Sequence, residues 1–136
     1  MTSLGLGTPA SGVTGELRAT GTITAHYSDD RLKTRVGNII GALEKVNQLN
    51  GFLYYPNEIA QSLGYEYQLE VGVSAQEVKK VQPEIVVPAP IDEQYYTVRY
   101  EKLIPLLIEA IKEQNKQFNE IKTLVQELKD TLLNNK

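Results

Sequence analysis

An uninterrupted apolar seam near the C-terminal end constrains this chain more than any other feature. Ile104, Leu107, Ile111, Gln114, Phe118, Ile121, Val125, Leu128 and Leu132 follow one another in alternating steps of three and four residues. That is the heptad spacing that keeps one narrow stripe of a helix against a partner helix. The residues between are mostly Glu, Lys, Gln and Asn. Pro105 falls near the start, where a missing N–H costs little. At 1.5 Å per residue the helix from Ile104 to Leu132 spans about 42 Å. No other segment predicts a helix of matching length, so the expected partner is the same helix of another copy. β-Branched residues at both seam position types favour three strands over two. Gln114, the one polar seam member, is the candidate for fixing register. The competing reading is a long helix packed along its own domain.

Composition narrows the function classes. The 136 residues carry a formal net charge of −3, and no stretch concentrates Lys and Arg as phosphate binding requires. No nucleic-acid partner is therefore expected. Without cysteines, and with His26 as the single histidine, neither a disulfide framework nor a Cys- or His-built zinc site is expected. No cofactor is expected either. No apolar run approaches the roughly 18 residues of a membrane span, and the N-terminus lacks a secretory pattern. The Gly5-Leu6-Gly7 stretch has neither the preceding strand nor the further residues of a phosphate loop.

Along the chain, residues 1–27 are rich in Gly, Ser and Thr and predict short strands between glycines, with His26 read as a strand residue. Such a stub has too few large apolar residues for its own core. From Ser28 to Asn50 the pattern predicts one capped helix. Ser28, Asp29 or Asp30 would serve as the cap, Leu32, Val36, Ile39, Ile40, Leu43 and Val46 would form the apolar face, and Asn50-Gly51 would stop it. Residues 52–100 read as a small mixed fold. A strand at FLYY precedes a helical turn near EIAQSLGY. A second strand, YEYQLEVGVS, has Tyr65, Tyr67, Leu69, Val71 and Val73 on one buried face. A short helix then stops before Pro83, VVPAPIDEQ reads as a loop, and YYTVRY as a strand. Tyr54, Tyr55, Tyr65, Tyr67, Tyr95, Tyr96 and Tyr100 are expected in the core and in strand pairing.

Three blocks carry a family resemblance. They are Tyr27-Ser28-Asp29-Asp30-Arg31-Leu32-Lys33, Val71 to Val78 with Gln82 to Val86, and Thr97 to Leu107 leading into the coiled coil. Their order and spacing resemble the intramolecular chaperone of phage endosialidases, tail fibres and neck appendages (the peptidase S74 family). A similar module is the autocleaving domain of myelin regulatory factor. The resemblance implies a serine–lysine autoprotease with Ser28 as nucleophile and Lys33 as general base. It also implies a homotrimer that assists folding of an upstream fibre segment of the same polypeptide and is then released. Implied, too, is a life in the host cytoplasm during assembly, with the upstream part in the virion fibre or spike. Two features depart from the family pattern: 27 residues precede the motif where members carry a large fibre, and position 73 is Val where a larger apolar residue is common.

The expected fold class is α+β, a small mixed domain with a long C-terminal helix in a homotrimeric coiled coil and a β-rich N-terminal stub. The expected division is 1–27 for the stub and 28–136 for the autoprotease module, with 103–136 as coiled coil. Serine needs a base to become a nucleophile, and lysine serves if burial or positive neighbours such as Arg31 and Arg35 lower its proton affinity. Ser28 and Lys33 are five apart and diverge on a continuous helix, so Ser28 must lie outside it. Attack on the Tyr27 carbonyl is the favoured cut, with cleavage after Ser28 left open. Read without the family, Ser28 is an ordinary helix cap. Two other functions compete: a non-cleaving trimerisation cap, and a receptor-binding tip that uses the tyrosines for glycans.

Overall fold

A computed structural model describes residues 2–136, in two compact units, one ending at Val36 and the other running Gly37–Lys136. The first unit holds two short strands, β1 (Ser3–Leu6) and β2 (Glu16–Ala19), and a 3-10 turn at Asp30–Leu32. The strands pair in parallel, Ser3 opposite Glu16 and Leu6 opposite Ala19. Gly5 lies so close to the Thr8–Ala10 backbone that any Cβ would collide with it. None of its described residues is fully buried. An isolated two-stranded sheet of this kind is marginal in water, so the unit holds its shape through turns rather than through a core.

The second unit contains α1 (Ala42–Asn47), β3 (Gly51–Tyr54), α2 (Glu58–Ser62), β4 (Glu70–Val73), α3 (Ala75–Val81), β5 (Val86–Ala89), β6 (Asp92–Val98) and α4 (Leu103–Asn134). Two antiparallel ribbons, β3–β4 and β5–β6, do not join into one sheet. In the first, Gly51 faces Val73 and Tyr54 faces Glu70. In the second, Val86 faces Val98, and a register irregularity falls at Pro88/Ala89. Proline cannot donate to the ladder, which suits a two-stranded ribbon with a free edge.

The core consists of two small clusters. Ala42, Leu106 and Ala110 are buried where α1 crosses α4, with Ile39, Leu43 and Val46 against them. Val78, Ile85 and Val98 are buried where α3 meets the β5–β6 ribbon. Leu49 and Leu103 touch both clusters and join them. Helix α3 begins with Ser74, whose Oγ accepts from the Glu77 N–H, and ends before Pro83 as the pattern predicts.

The structure corrects several expectations. Residues 28–50 are not one helix: a 3-10 turn is followed by extended chain, and only Ala42–Asn47 is α-helical. Gly37 (φ 153°) and Gly41 (φ 64°) take backbone conformations that L-residues resist, and both interrupt the helix. The predicted apolar face therefore splits. Ile39, Leu43 and Val46 pack against the core, while Leu32, Val36 and Ile40 remain exposed. The strand expected over 65–74 is confined to Glu70–Val73, and Tyr65, Tyr67, Leu69 and Val71 are exposed rather than buried. Part of the expected loop VVPAPIDEQ is strand β5 and the start of β6. The tyrosines lie at the surface, because among the described residues of the second unit nothing covers the outer faces of its two-stranded ribbons. Tyr55 and Tyr67 stack on each other at 4.8 Å. His26 is not in a strand but turns the chain with φ 64°.

The long helix matches its expectation. It runs 32 residues, and its inward contacts come from Leu106 and Ala110. The seam residues Ile104, Leu107, Ile111, Phe118, Ile121, Val125, Leu128 and Leu132 are all substantially exposed, so the helix does not use its apolar stripe against its own domain.

Candidate functional site

The Ser28–Lys33 segment is built by its own short-range chemistry. Asp29 has extended backbone (φ −66°, ψ 129°), and its Oδ1 accepts from the Arg31 N–H at 2.8 Å. That is an N-cap bond, and it starts the turn. Leu32 N–H donates to the Asp29 carbonyl and Lys33 N–H to the Asp30 carbonyl, each at 3.1 Å. The turn ends at Lys33, which is extended again. One 3-10 turn, with extended residues at both ends, turns the chain back between Ser28 and Lys33.

The reversal brings the Lys33 ammonium back over Ser28. Its Nζ lies 3.0 Å from Ser28 Oγ and 2.8 Å from the Ser28 carbonyl oxygen, donating to both. Ser28 precedes the turn and does not cap it; the capping oxygen is that of Asp29. Tyr27 stands immediately before, also exposed, with the left-handed His26 one residue further upstream. A non-glycine residue in that conformation is disfavoured, so the chain entering Tyr27–Ser28 carries local backbone strain.

Two ion pairs frame the pair. The Arg31 guanidinium holds both Asp29 oxygens, with Nε at 3.1 and 3.2 Å and Nη2 at 2.7 Å. Arg35 Nη2 binds Asp30 Oδ2 at 2.9 Å. Side-chain and backbone hydrogen bonds from Arg31, with a smaller contribution from the charge of Lys33, hold the Asp29 carboxyl below the usual carboxylate range. Both arginines that the sequence reading set beside Lys33 are thus neutralised by aspartates. The N–H groups of Arg31 and Leu32 are already bonded, which leaves Asp30 as the helix-start donor not committed within the turn.

In the second unit the notable carboxylates are ones that sequence reasoning passed over. Glu113 of α4 accepts from the N–H groups of Ala42 (3.0 Å) and Leu43 (2.9 Å), capping α1, whose own cap residue Gly41 has no side chain. Glu77, in the first turn of α3, accepts from the Asn50 N–H at 3.0 Å and from Asn50 Nδ2 at 3.2 Å, fixing the entry to β3. Tyr100 Oη accepts from the Val73 N–H at 3.4 Å and sits close to Gly72, where a Cβ would come within 2.9 Å of it. No local pattern marks these contacts, because they join residues 27 to 71 apart. Among the described residues no group of His, Asp and Glu is arranged to hold a metal ion.

Residues 28–87 match the family model described as chaperone of endosialidase, Peptidase_S74. The match begins at Ser28 itself. Over 99 residues, 71% of its length, the chain is 34% identical to long tail fiber protein Gp37 of Enterobacteria phage K3. The same identity and extent hold for long tail fiber protein Gp37 of Enterobacteria phage T2. The chain spans only 8% and 7% of the length of these two fibre proteins.

Proposed function

We propose that the chain is a fibre-associated chaperone that trimerises through α4 and releases itself by cutting next to Ser28. On this reading residues 1–27 are the end of a fibre, 28–136 the chaperone, and 103–136 the coiled coil. The observation that carries the cleavage step is the 3.0 Å contact between Lys33 Nζ and Ser28 Oγ, in a turn whose capping is done by Asp29. Ser28 is thus free of the role that would otherwise explain it.

As the neutral amine, Lys33 keeps one N–H on the Ser28 carbonyl and turns its lone pair to the Ser28 hydroxyl. It takes the hydroxyl proton as Oγ attacks the Tyr27 carbonyl carbon. The carbonyl π electrons move onto oxygen, then return as the Tyr27–Ser28 C–N bond breaks. The Ser28 nitrogen takes up a proton and becomes a free amine, and Tyr27 is left as an ester on Oγ. Water hydrolyses the ester, giving a Tyr27 carboxylate and Ser28 as a new N-terminus. The strained backbone at His26 favours departure from the folded ground state. Ser28 and Lys33 are exposed in the single chain. Assembly of three copies is proposed to cover them, exclude water and complete the donors for the developing oxyanion.

Trimerisation is supported by the exposed seam of α4 and by how few residues the single chain buries. A trimer that forms first raises the local concentration of three fibre ends whose own contacts are non-local and slow to form. Release afterwards traps the assembled fibre kinetically.

Intact-mass measurement of wild type beside Ser28→Ala and Lys33→Ala, under conditions where sedimentation shows a trimer, tests the reading. Wild type should yield two fragments whose masses sum to the parent plus one water, the larger beginning at Ser28; each variant should remain uncut. A trimeric wild type that stays at the parent mass would falsify self-cleavage and leave a structural trimerisation cap. Trimer-specific mass lost on seam substitution supports the coiled coil, and a monomer at all concentrations overturns it.

A further inference from the structure

Asp29 and Arg31 lie within the cutting segment, yet neither touches the bond to be broken. Asp29 makes the cap bond that starts the turn, and the turn is what carries Lys33 back to Ser28. The same carboxylate is an anion close to an amine that must lose its proton to act as base. Left bare, it would favour the ammonium form. Arg31 clasps both of its oxygens through three hydrogen bonds and offsets part of that charge. Arg35 does the same for Asp30 through one.

We propose that Asp29 and Arg31 act together as positioning residues for the Ser28–Lys33 pair: the Asp29 carboxylate shapes the turn, and Arg31 masks that carboxylate from the Lys33 amine. The proposal rests on the self-cleavage reading for its purpose but not for its test. It separates two properties of one side chain. The hydrogen-bond acceptor of Asp29 is needed, and its charge is a liability that Arg31 offsets in part. The charged groups within the segment are Asp29, Asp30, Arg31, Lys33 and Arg35, with His26 and Tyr27 just upstream, and Asp30 is engaged by Arg35. An Arg31 substitution therefore exposes Asp29 alone.

Two readouts test this. The first uses the Ser28→Ala chain, which keeps its parent mass whatever the fate of the cleavage reading. The protonation midpoint of the Lys33 amine is followed by NMR of its side-chain carbon. Arg31→Leu should raise that midpoint relative to Ser28→Ala alone, because a less masked anion beside the amine favours its charged form. Asp29→Asn, which keeps the acceptor and leaves Arg31 unpaired, should lower it. Midpoints that stay together for all three chains would overturn the masking.

The second readout is the cleavage rate against pH with Ser28 present. Asp29→Ala, which loses the cap, should cut at least about tenfold more slowly at every pH. Asp29→Asn should restore the rate with its profile moved to lower pH, and Arg31→Leu should move it to higher pH. Failure of asparagine to rescue, with folding verified by circular dichroism, would overturn the positioning role. A wild type that never cuts would sink the cleavage reading alone, since the NMR midpoints still decide the electrostatic claim.

Discussion

Glu113 is the residue on which the second unit's architecture depends most locally. Helix α1 has only six residues, and its cap position, Gly41, offers no side-chain acceptor. The four N–H groups that begin any helix need partners, and a carboxylate from α4 takes two of them. The backbone hydrogen bond from Leu43 first, then that from Ala42, holds the Glu113 carboxyl below its ordinary value of 4.5. A depressed carboxylate contributes stability that is complete above the unfolded-state value and is lost as pH falls through the folded one. The wild-type chain should therefore lose thermal stability between about pH 5 and pH 3, partly through this group. Glu113→Gln should be less stable than wild type at neutral pH and show a smaller acid-side drop. Thermal melts of the two chains across that range check it; parallel curves would remove Glu113 from the account. Asp29, lowered chiefly by its hydrogen bond with Arg31, titrates in the same direction in the other unit.

At the scale of elements, α4 faces two ways. One side presents Leu106 and Ala110 to α1, and the other presents the heptad seam to solvent. The seam positions 104, 107, 111 and 118 were legible from spacing alone, because a 3.5-residue period states which side of a helix is apolar. The inward contact was not, since Leu106 and Ala110 look like filler between heptad positions. Leu106 is fully buried, and truncating it leaves a cavity that α1 cannot easily close. Leu106→Ala should cost about 2–5 kcal/mol in urea unfolding, far more than an exposed seam residue would cost a single chain. A loss below 1 kcal/mol would mean that α1 rides loosely on α4. The 28–50 segment shows the opposite failure of periodicity. Its apolar residues recur at helical spacing, but Gly37 and Gly41 occupy conformations that end helices, and two glycines outweighed six apolar matches.

For the whole molecule, the balance of exposed and buried apolar surface is the informative quantity. Among the described residues seven hydrophobic ones are buried, while many large ones, from Phe52 and Leu53 to Leu132 and Leu133, stand in solvent. Exposed apolar surface of this extent is what the proposed assembly through α4 would cover. Phe118 is 59% exposed at the middle of the seam. If α4 forms the proposed trimer, Phe118→Glu should abolish it in sedimentation equilibrium, since three like charges would meet at one level of the coil. The far-ultraviolet spectrum should keep the signature of the β3–β4 and β5–β6 ribbons if the small domain survives alone. A Phe118→Glu chain that remains trimeric would move the interface off this seam.

What the sequence determined by itself was whatever depends on near neighbours: the length and facing of α4, the stop before Pro83, and a strand beginning near Phe52. These follow from periodicity, capping chemistry and the fixed directions in which side chains leave a backbone. Only the tertiary structure decided which carboxylate begins α1, why Tyr65 to Val71 face outward, and that Asp29 rather than Ser28 caps the turn. The first two turn on contacts between residues far apart in the chain, or on the lack of a covering layer. The last is a choice among three adjacent acceptors of similar chemistry, and it is made by backbone angles that no residue type specifies alone.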